Sequence, residues 1–135
     1  MINLSREIVL ISVDKLKHIE GFGKKRIIWL KNKILEEGVW TVPLKISDEH
    51  FLVMDGNHRM EAAKILELKY VPCLVYSYDE VKVWSLRKNQ IVTSDLIIKN
   101  SLSGSIYPYK TAKHEFPDGG DIVCNYSLDL LRHEK

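Results

Sequence analysis

The chain has 135 residues, a formal net charge of +2, 45% hydrophobic residues and 28% charged residues. That length supports one domain around one core, and residues 1–135 are expected to form it. The slight charge makes no electrostatic case for nucleic acid, no apolar run approaches a bilayer span, and the first ten residues alternate charged and apolar side chains, unlike a signal peptide. Cys73 and Cys124 stand far apart in apolar runs and lack metal-ligand spacing. They read as reduced thiols of a cytoplasmic protein.

In chain order, the β-branched run over 7–12 predicts a first strand. A polar connector over 13–20 follows, with Leu16 as its anchor, and then a loop hinged on Gly21 and Gly23. A helix is predicted over 24–37. Its apolar stripe is Ile27, Leu30, Ile34 and Leu35, and Gly38 supplies the stop. The lysines of this helix fall mostly outside the stripe, as a solvated face. Residues 39–46 read as a second strand with Pro43 near an edge or start. A turn at 48–50 leads into a third strand ending at Asp55, and a second helix is predicted over 58–68. Residues 70–78 read as a buried strand and 81–86 as an alternating one. Thr93 or Ser94 caps a third helix that ends at Ser103-Gly104. A donor-rich loop over 106–117, a turn at 118–120 and a final strand entering a helical turn over 122–131 complete the chain. Trp29, Trp40 and Trp84 read as packing residues first. Hairpins alternate with helices, which predicts an α+β domain: a mixed β-sheet with three main helices packed on it.

The stretch around Asp55 carries the most chemistry. Asp55, Gly56, Asn57, His58 and Arg59 fall where a strand ends and a helix begins. The first amides of a helix have no internal partner, and the helix dipole favours anions there. Glycine allows close approach of a phosphate to the backbone. Arg59 offers a forked donor, His58 a ring donor, and Asp55 a metal ligand or proton acceptor. The same residues equally compose an ordinary turn before a solvated helix start.

Three segments taken together resemble a known family: Leu16-Lys17-His18-Ile19-Glu20, Asp55-Gly56-Asn57-His58-Arg59, and the late run from Ser103 through Tyr107, Lys110 and Thr111 to His114. The middle one resembles the DGxHR box of the ParB/sulfiredoxin-like superfamily. The set, in this order, is similar to the free L-serine kinases of that superfamily. The resemblance implies a ParB/sulfiredoxin-like fold. It also implies a kinase that moves the terminal phosphate of ATP or ADP onto the hydroxyl of free L-serine, or a close hydroxy amino acid, with Mg2+. By this resemblance Glu20 is the catalytic base and Asp55 the essential aspartate and metal ligand. Gly56, Asn57, His58 and Arg59 form the phosphate-binding turn, and Lys110, Thr111 and His114 the loop that closes on it. The chain departs from the family pattern at Asn57, Ala112 and Lys113, and in the short segment from Leu86 to Thr93. Trp84 is the aromatic nearest the expected amino-acid pocket.

These residue types suit phosphoryl transfer, which needs positioning and charge neutralisation above all. A carboxylate that accepts the proton of a serine hydroxyl improves a poor nucleophile. A sulfiredoxin-type reductase would need a thiol where Asn57 stands. The remaining alternative is a ParB-like nucleotide-binding regulatory or DNA-associated module without turnover. The expected partners are a nucleotide and a small amino acid, with neither membrane nor nucleic acid.

Overall fold

The computed structural model describes residues 6–118 and 122–133. Its centre is a four-stranded mixed sheet in the order β1-β5-β3-β4, formed by β1 (Val9–Ser12), β3 (Leu44–Ser47), β4 (Val53–Asp55) and β5 (Tyr70–Tyr76). β5 pairs antiparallel with β1 and parallel with β3, and β3 pairs antiparallel with β4. The β3–β4 hairpin followed by the helix α2 (Asn57–Ile65) therefore returns the chain to β5 on the far side of β3.

Helix α1 (Lys24–Glu37) has the predicted bounds, and Gly38 ends it in the left-handed region at φ 74°. It buries Ile27, Leu30 and Ile34, and it packs against α2. Leu30 and Ile34 join Trp40, Leu44, Ile46, Met60, Ala63 and Val71 in the main core. Leu35, which the predicted stripe included, is 51% exposed, because the face that meets α2 is narrower than the apolar pattern. The connector after β1 opens with a 3-10 turn over Val13–Lys15. It is less polar in its setting than its sequence, since both Leu16 and Ile19 are buried. Of the three tryptophans Trp40 is buried, whereas Trp29 and Trp84 are half-exposed.

Two predicted elements are organised differently. The second predicted strand is two: β2 (Val39–Trp40) pairs with β8 (Tyr126–Ser127), and β3 begins only after Pro43. Proline offers no amide to a ladder, so the chain changes sheet there. The predicted late loop contains a strand, β7 (Ala112–Glu115), paired antiparallel with β6 (Lys82–Ser85) as a separate two-stranded ribbon. Helix α3 (Ser94–Ser103) runs from Thr93, whose hydroxyl accepts the Leu96 amide at 3.2 Å, to Gly104 at φ 83°. The short α4 (Leu128–Arg132) follows β8 directly. Part of the turn predicted at 118–120 lies outside the described residues.

Candidate active site

A cleft of about 390 Å³ opens where the end of β4, the start of α2, the Glu20–Gly21 segment and the β7 ribbon converge. One wall is the turn at 55–58. Gly56 has φ 108°, and a Cβ there would lie 2.5 Å from the Leu44 side chain, so the turn requires glycine. The first intrahelical bond runs from the Met60 amide to the Gly56 carbonyl at 2.9 Å. The amides of Asn57, His58 and Arg59 thus precede the helical ladder and offer donors toward an anion. Lys45 of β3 lies opposite Asp55 in register, at an irregularity in the β3–β4 pairing, and also lines the cleft.

His58 is tied back to the loop before α1: its Nε2 accepts the Gly23 amide at 3.0 Å. An accepting Nε2 leaves the ring proton on Nδ1. Burial lowers the pKa of His58, and Arg26, His18 and Lys110 lower it further, so the ring is a neutral donor near pH 7. Asn57 is buried between the walls. Its Oδ1 lies 2.6 Å from His18 Nδ1, and its amide nitrogen is 3.4 Å from the Val53 carbonyl. His18 Nε2 reaches the Glu61 carboxylate at 2.7 Å, and its ring stacks on Phe22 at 4.7 Å. His18, two residues before Glu20, thereby links that segment to α2.

The opposite wall carries Glu20. The main chain beside it pairs with Tyr107: the Gly21 amide donates to the Tyr107 carbonyl at 2.8 Å, and the Tyr107 amide to the Ile19 carbonyl at 3.0 Å. The Glu20 carboxylate accepts the Thr111 and Ala112 amides, one on each oxygen, both at 3.2 Å. Burial raises its pKa above the ordinary glutamate value, and the amide bonds and the charge of Arg87 only partly oppose that. His114 is 8% exposed, and its Nε2 lies 3.1 Å from the Tyr78 hydroxyl. Burial pushes its pKa down to about 4, so it too is neutral near pH 7. Phe116 adjoins it on the cleft floor, and Lys45 Nζ sits 4.3 Å from the Phe116 ring centroid.

Of the residues singled out from the sequence, Glu20, Asp55, Gly56, Asn57, His58, Lys110 and His114 all line this cleft. Three others stand elsewhere. Arg59 is half-buried beside Asp55, with Arg26 and Glu37 of α1 among its charged neighbours. Thr111 is fully buried: its hydroxyl donates to the Pro108 carbonyl at 2.6 Å and accepts from Arg87 Nε at 3.0 Å, and only its backbone serves the site, through Glu20. Trp84 is 41% exposed on β6, while Leu86, two residues on, lines the cleft. Leu86, Tyr109 and Lys113, visible in the sequence but given no role there, also line the cleft; sequence reading missed Lys45, which strand register brings there, and Phe116, which directly follows β7. The alternation over 112–116 was the local signal for Phe116.

The donor set can be tested against a magnesium ion. Among the described residues no cluster of three or more His, Cys, Asp or Glu side chains could form a protein cage. Mg2+ does not need one: it keeps several waters and takes one or two carboxylates together with substrate phosphates. Asp55, exposed at the cleft and beside the free amides of α2, fits that role. The two Glu20 oxygens are already engaged by amides. Among the described residues no helix is long and apolar enough to cross a membrane.

No family model matches the chain. Over 129 residues it is 30% identical to the ATP-dependent L-serine kinase of Desulfurococcus mucosus, an alignment covering 91% of this chain and 46% of that protein. Over 86 residues it is 40% identical to the ATP-dependent L-serine kinase of Staphylothermus marinus, covering 58% of this chain and 34% of that protein. The chain thus spans less than half the length of these curated relatives. A solved structure of a free serine kinase in complex with AMP superposes with a TM-score of 0.85 at 15% identity, covering 95% of each chain. At that identity the likeness establishes the fold, and the α+β, ParB/sulfiredoxin-like arrangement expected from the sequence is the one the chain has.

Proposed function

We propose that this chain, which shares the fold of the free serine kinases, is a phosphotransferase that moves the terminal phosphate of ATP or ADP onto the hydroxyl of free L-serine. The observation that carries the reading is the meeting of two unlike walls in one cleft. A half-buried carboxylate with a raised pKa, Glu20, faces a helix N-terminus built around an obligatory glycine. A purely structural turn would need no such carboxylate. The named activity of the two curated relatives agrees with it and favours ATP as the donor.

In this mechanism the amides of Asn57, His58 and Arg59 hold the nucleotide phosphates, with Lys45 and the Nδ1–H of His58 as further donors. Asp55 would hold the magnesium ion, which supplies neutralisation of charge on the phosphates. Glu20 takes the proton as the serine hydroxyl oxygen attacks the terminal phosphorus. The bond from that phosphorus to the bridging oxygen breaks, and the leaving nucleotide keeps the electron pair. Burial, which raises the pKa of Glu20, makes its carboxylate a better base. Lys110 and Lys113, at the cleft mouth, offset the charge of the equatorial oxygens. Arg59 and Thr111 act one layer out: Arg59 beside Asp55, and Thr111 through its amide on Glu20. The acceptor's apolar contacts are assigned to Leu86 rather than Trp84. The partners are a nucleotide and a small amino acid, with no role for nucleic acid. Both cysteines are free, in keeping with a cytoplasmic setting.

The test is a product assay. Protein, magnesium and either ATP or ADP are incubated with a mixture of the twenty amino acids, and products are identified by mass spectrometry. O-phosphoserine with at least one donor is the expected result. Nucleotide binding without any phosphorylated amino acid would instead favour a regulatory nucleotide-binding module.

A further inference from the structure

Glu20 cannot orient itself. It sits in a connector, and the contacts that fix its carboxylate come from a turn ninety residues later in the chain: the Thr111 and Ala112 amides, one to each oxygen. That turn is itself in an unfavourable conformation. Lys110 has φ 59°, one of the few non-glycine residues among those described with a positive φ. A lysine holds that region only where its surroundings over-determine it.

The surroundings that do so centre on Arg87. Its guanidinium spans the turn, donating from Nε to the Thr111 hydroxyl at 3.0 Å and from the terminal nitrogen to the Tyr109 carbonyl at 2.6 Å. The Thr111 hydroxyl passes its own proton to the Pro108 carbonyl at 2.6 Å. Arg87 therefore ties Tyr109 and Thr111 directly, and Pro108 through the Thr111 hydroxyl. The backbone of Arg87 is fixed in turn by Ser85, whose hydroxyl accepts the Arg87 amide at 3.0 Å and donates to its carbonyl at 2.7 Å. The adjacent Leu86 amide donates to the Thr111 carbonyl at 2.8 Å. Arg87 belongs to the short segment after β6 and does not line the cleft.

We propose that Arg87 is a positioning residue: its forked guanidinium holds the 109–111 turn in the conformation that presents the Thr111 and Ala112 amides to Glu20, and so aims the Glu20 carboxylate at the acceptor hydroxyl. The kinetic part of this rests on the kinase reading above; the geometric part does not. A lysine at position 87 would keep the charge near Glu20 but could not bridge Thr111 and Tyr109 with a planar fork.

The experiment follows the 13C chemical shift of the Glu20 side-chain carboxyl against pH in the wild type, Arg87→Ala, Arg87→Lys and Thr111→Val. It needs no turnover, and circular dichroism checks the fold of each variant. When amide donors leave a carboxylate its pKa rises. The midpoint is therefore expected to move upward in Arg87→Ala and Arg87→Lys alike, and in Thr111→Val, which removes the arginine's hydroxyl partner while conserving shape. If Arg87→Ala fails to fold, the other two variants decide. A midpoint unmoved in Arg87→Lys, whether or not it moves in Arg87→Ala, would overturn the proposal, because the guanidinium fork would then not be what holds the amides on Glu20. In the product assay the same variants should lose kcat on the order of 10²-fold, as expected for a misplaced catalytic group, with KM for nucleotide nearly unchanged. Loss expressed in KM alone would also overturn it. Absence of phosphoserine from the wild type would fault the kinase reading while leaving the carboxyl titration to judge Arg87.

Discussion

The turn at 55–58 grows out of the central sheet, whereas residues 110–114 ride on a two-stranded ribbon that is not part of it. On the first side Gly56 is wedged against Leu44, Asn57 is buried, and Met54 and Met60 flank the turn inside the core. On the second side Lys110, Lys113 and Glu115 are exposed, and the wall is held by hydrogen bonds from Arg87, Thr111 and Glu20. The contrast matches the work assigned to each side. A phosphate site benefits from amides fixed before the ligand arrives, so it is built into packed structure. In the proposed reaction the second wall would admit a nucleotide and an amino acid and then close on them, and it is held by polar contacts, which open at lower cost than a core.

The largest effect that would break this comparison is at Gly56. In Gly56→Ala the new methyl would meet Leu44, and the backbone would keep a φ that alanine resists. Strain and overpacking of this kind each cost about 1–3 kcal/mol. The thermal midpoint should fall by several degrees and nucleotide binding should be lost, read by calorimetry with and without ATP. Lys45→Met comes next: it should weaken nucleotide affinity by about tenfold, as for loss of one charge-assisted bond of roughly 1.5 kcal/mol. Arg59→Ala should weaken it less, because Arg59 neighbours Asp55 rather than lining the cleft. If Arg59→Ala proved the more damaging of the two, Arg59 would have to swing into the cleft on binding.

A smaller effect sharpens the comparison through pH. His114 is neutral in the fold down to about pH 4, while in the unfolded chain it takes up a proton near its ordinary value of 6.5. The unfolded state therefore binds more protons between those two values, and stability must fall as pH drops through that window. His58, whose pKa is also lowered, acts in the same direction. Chemical denaturation at a series of pH values should show this slope in the wild type and a flatter one in His114→Gln.

How much of this was legible in the sequence depended on how local the signal was. Helix α1 was readable to the residue because its stripe and its terminal glycine are local. The turn at Asp55 was readable because a strand run meets a helix run there, and the DGxHR resemblance sharpened it. Pro43 was seen as an edge signal, but sequence did not say that the strands on its two sides join different sheets, since Trp40 pairs with Tyr126, far along the chain, while Leu44 pairs with Cys73. The segment over 112–115 alternates like a strand, yet its polar composition read as a loop; its partner β6 makes it a strand. Lys45 escaped notice because only its register with Asp55 brings it to the cleft. Arg59 and Thr111 show the converse. Their position in a motif was visible, but not that one side chain turns toward α1 and the other is buried.

The central claim is a division of labour between the walls, and the most direct measurement reads both walls in one variant. Glu20→Ala is titrated with ATP and magnesium by calorimetry, and the same sample is assayed for phosphoserine. The account predicts nucleotide affinity within about threefold of the wild type, a difference under roughly 0.7 kcal/mol, together with loss of product formation. Phosphoserine formed at the wild-type rate by Glu20→Ala would contradict it, and so would loss of nucleotide binding in a folded Glu20→Ala protein.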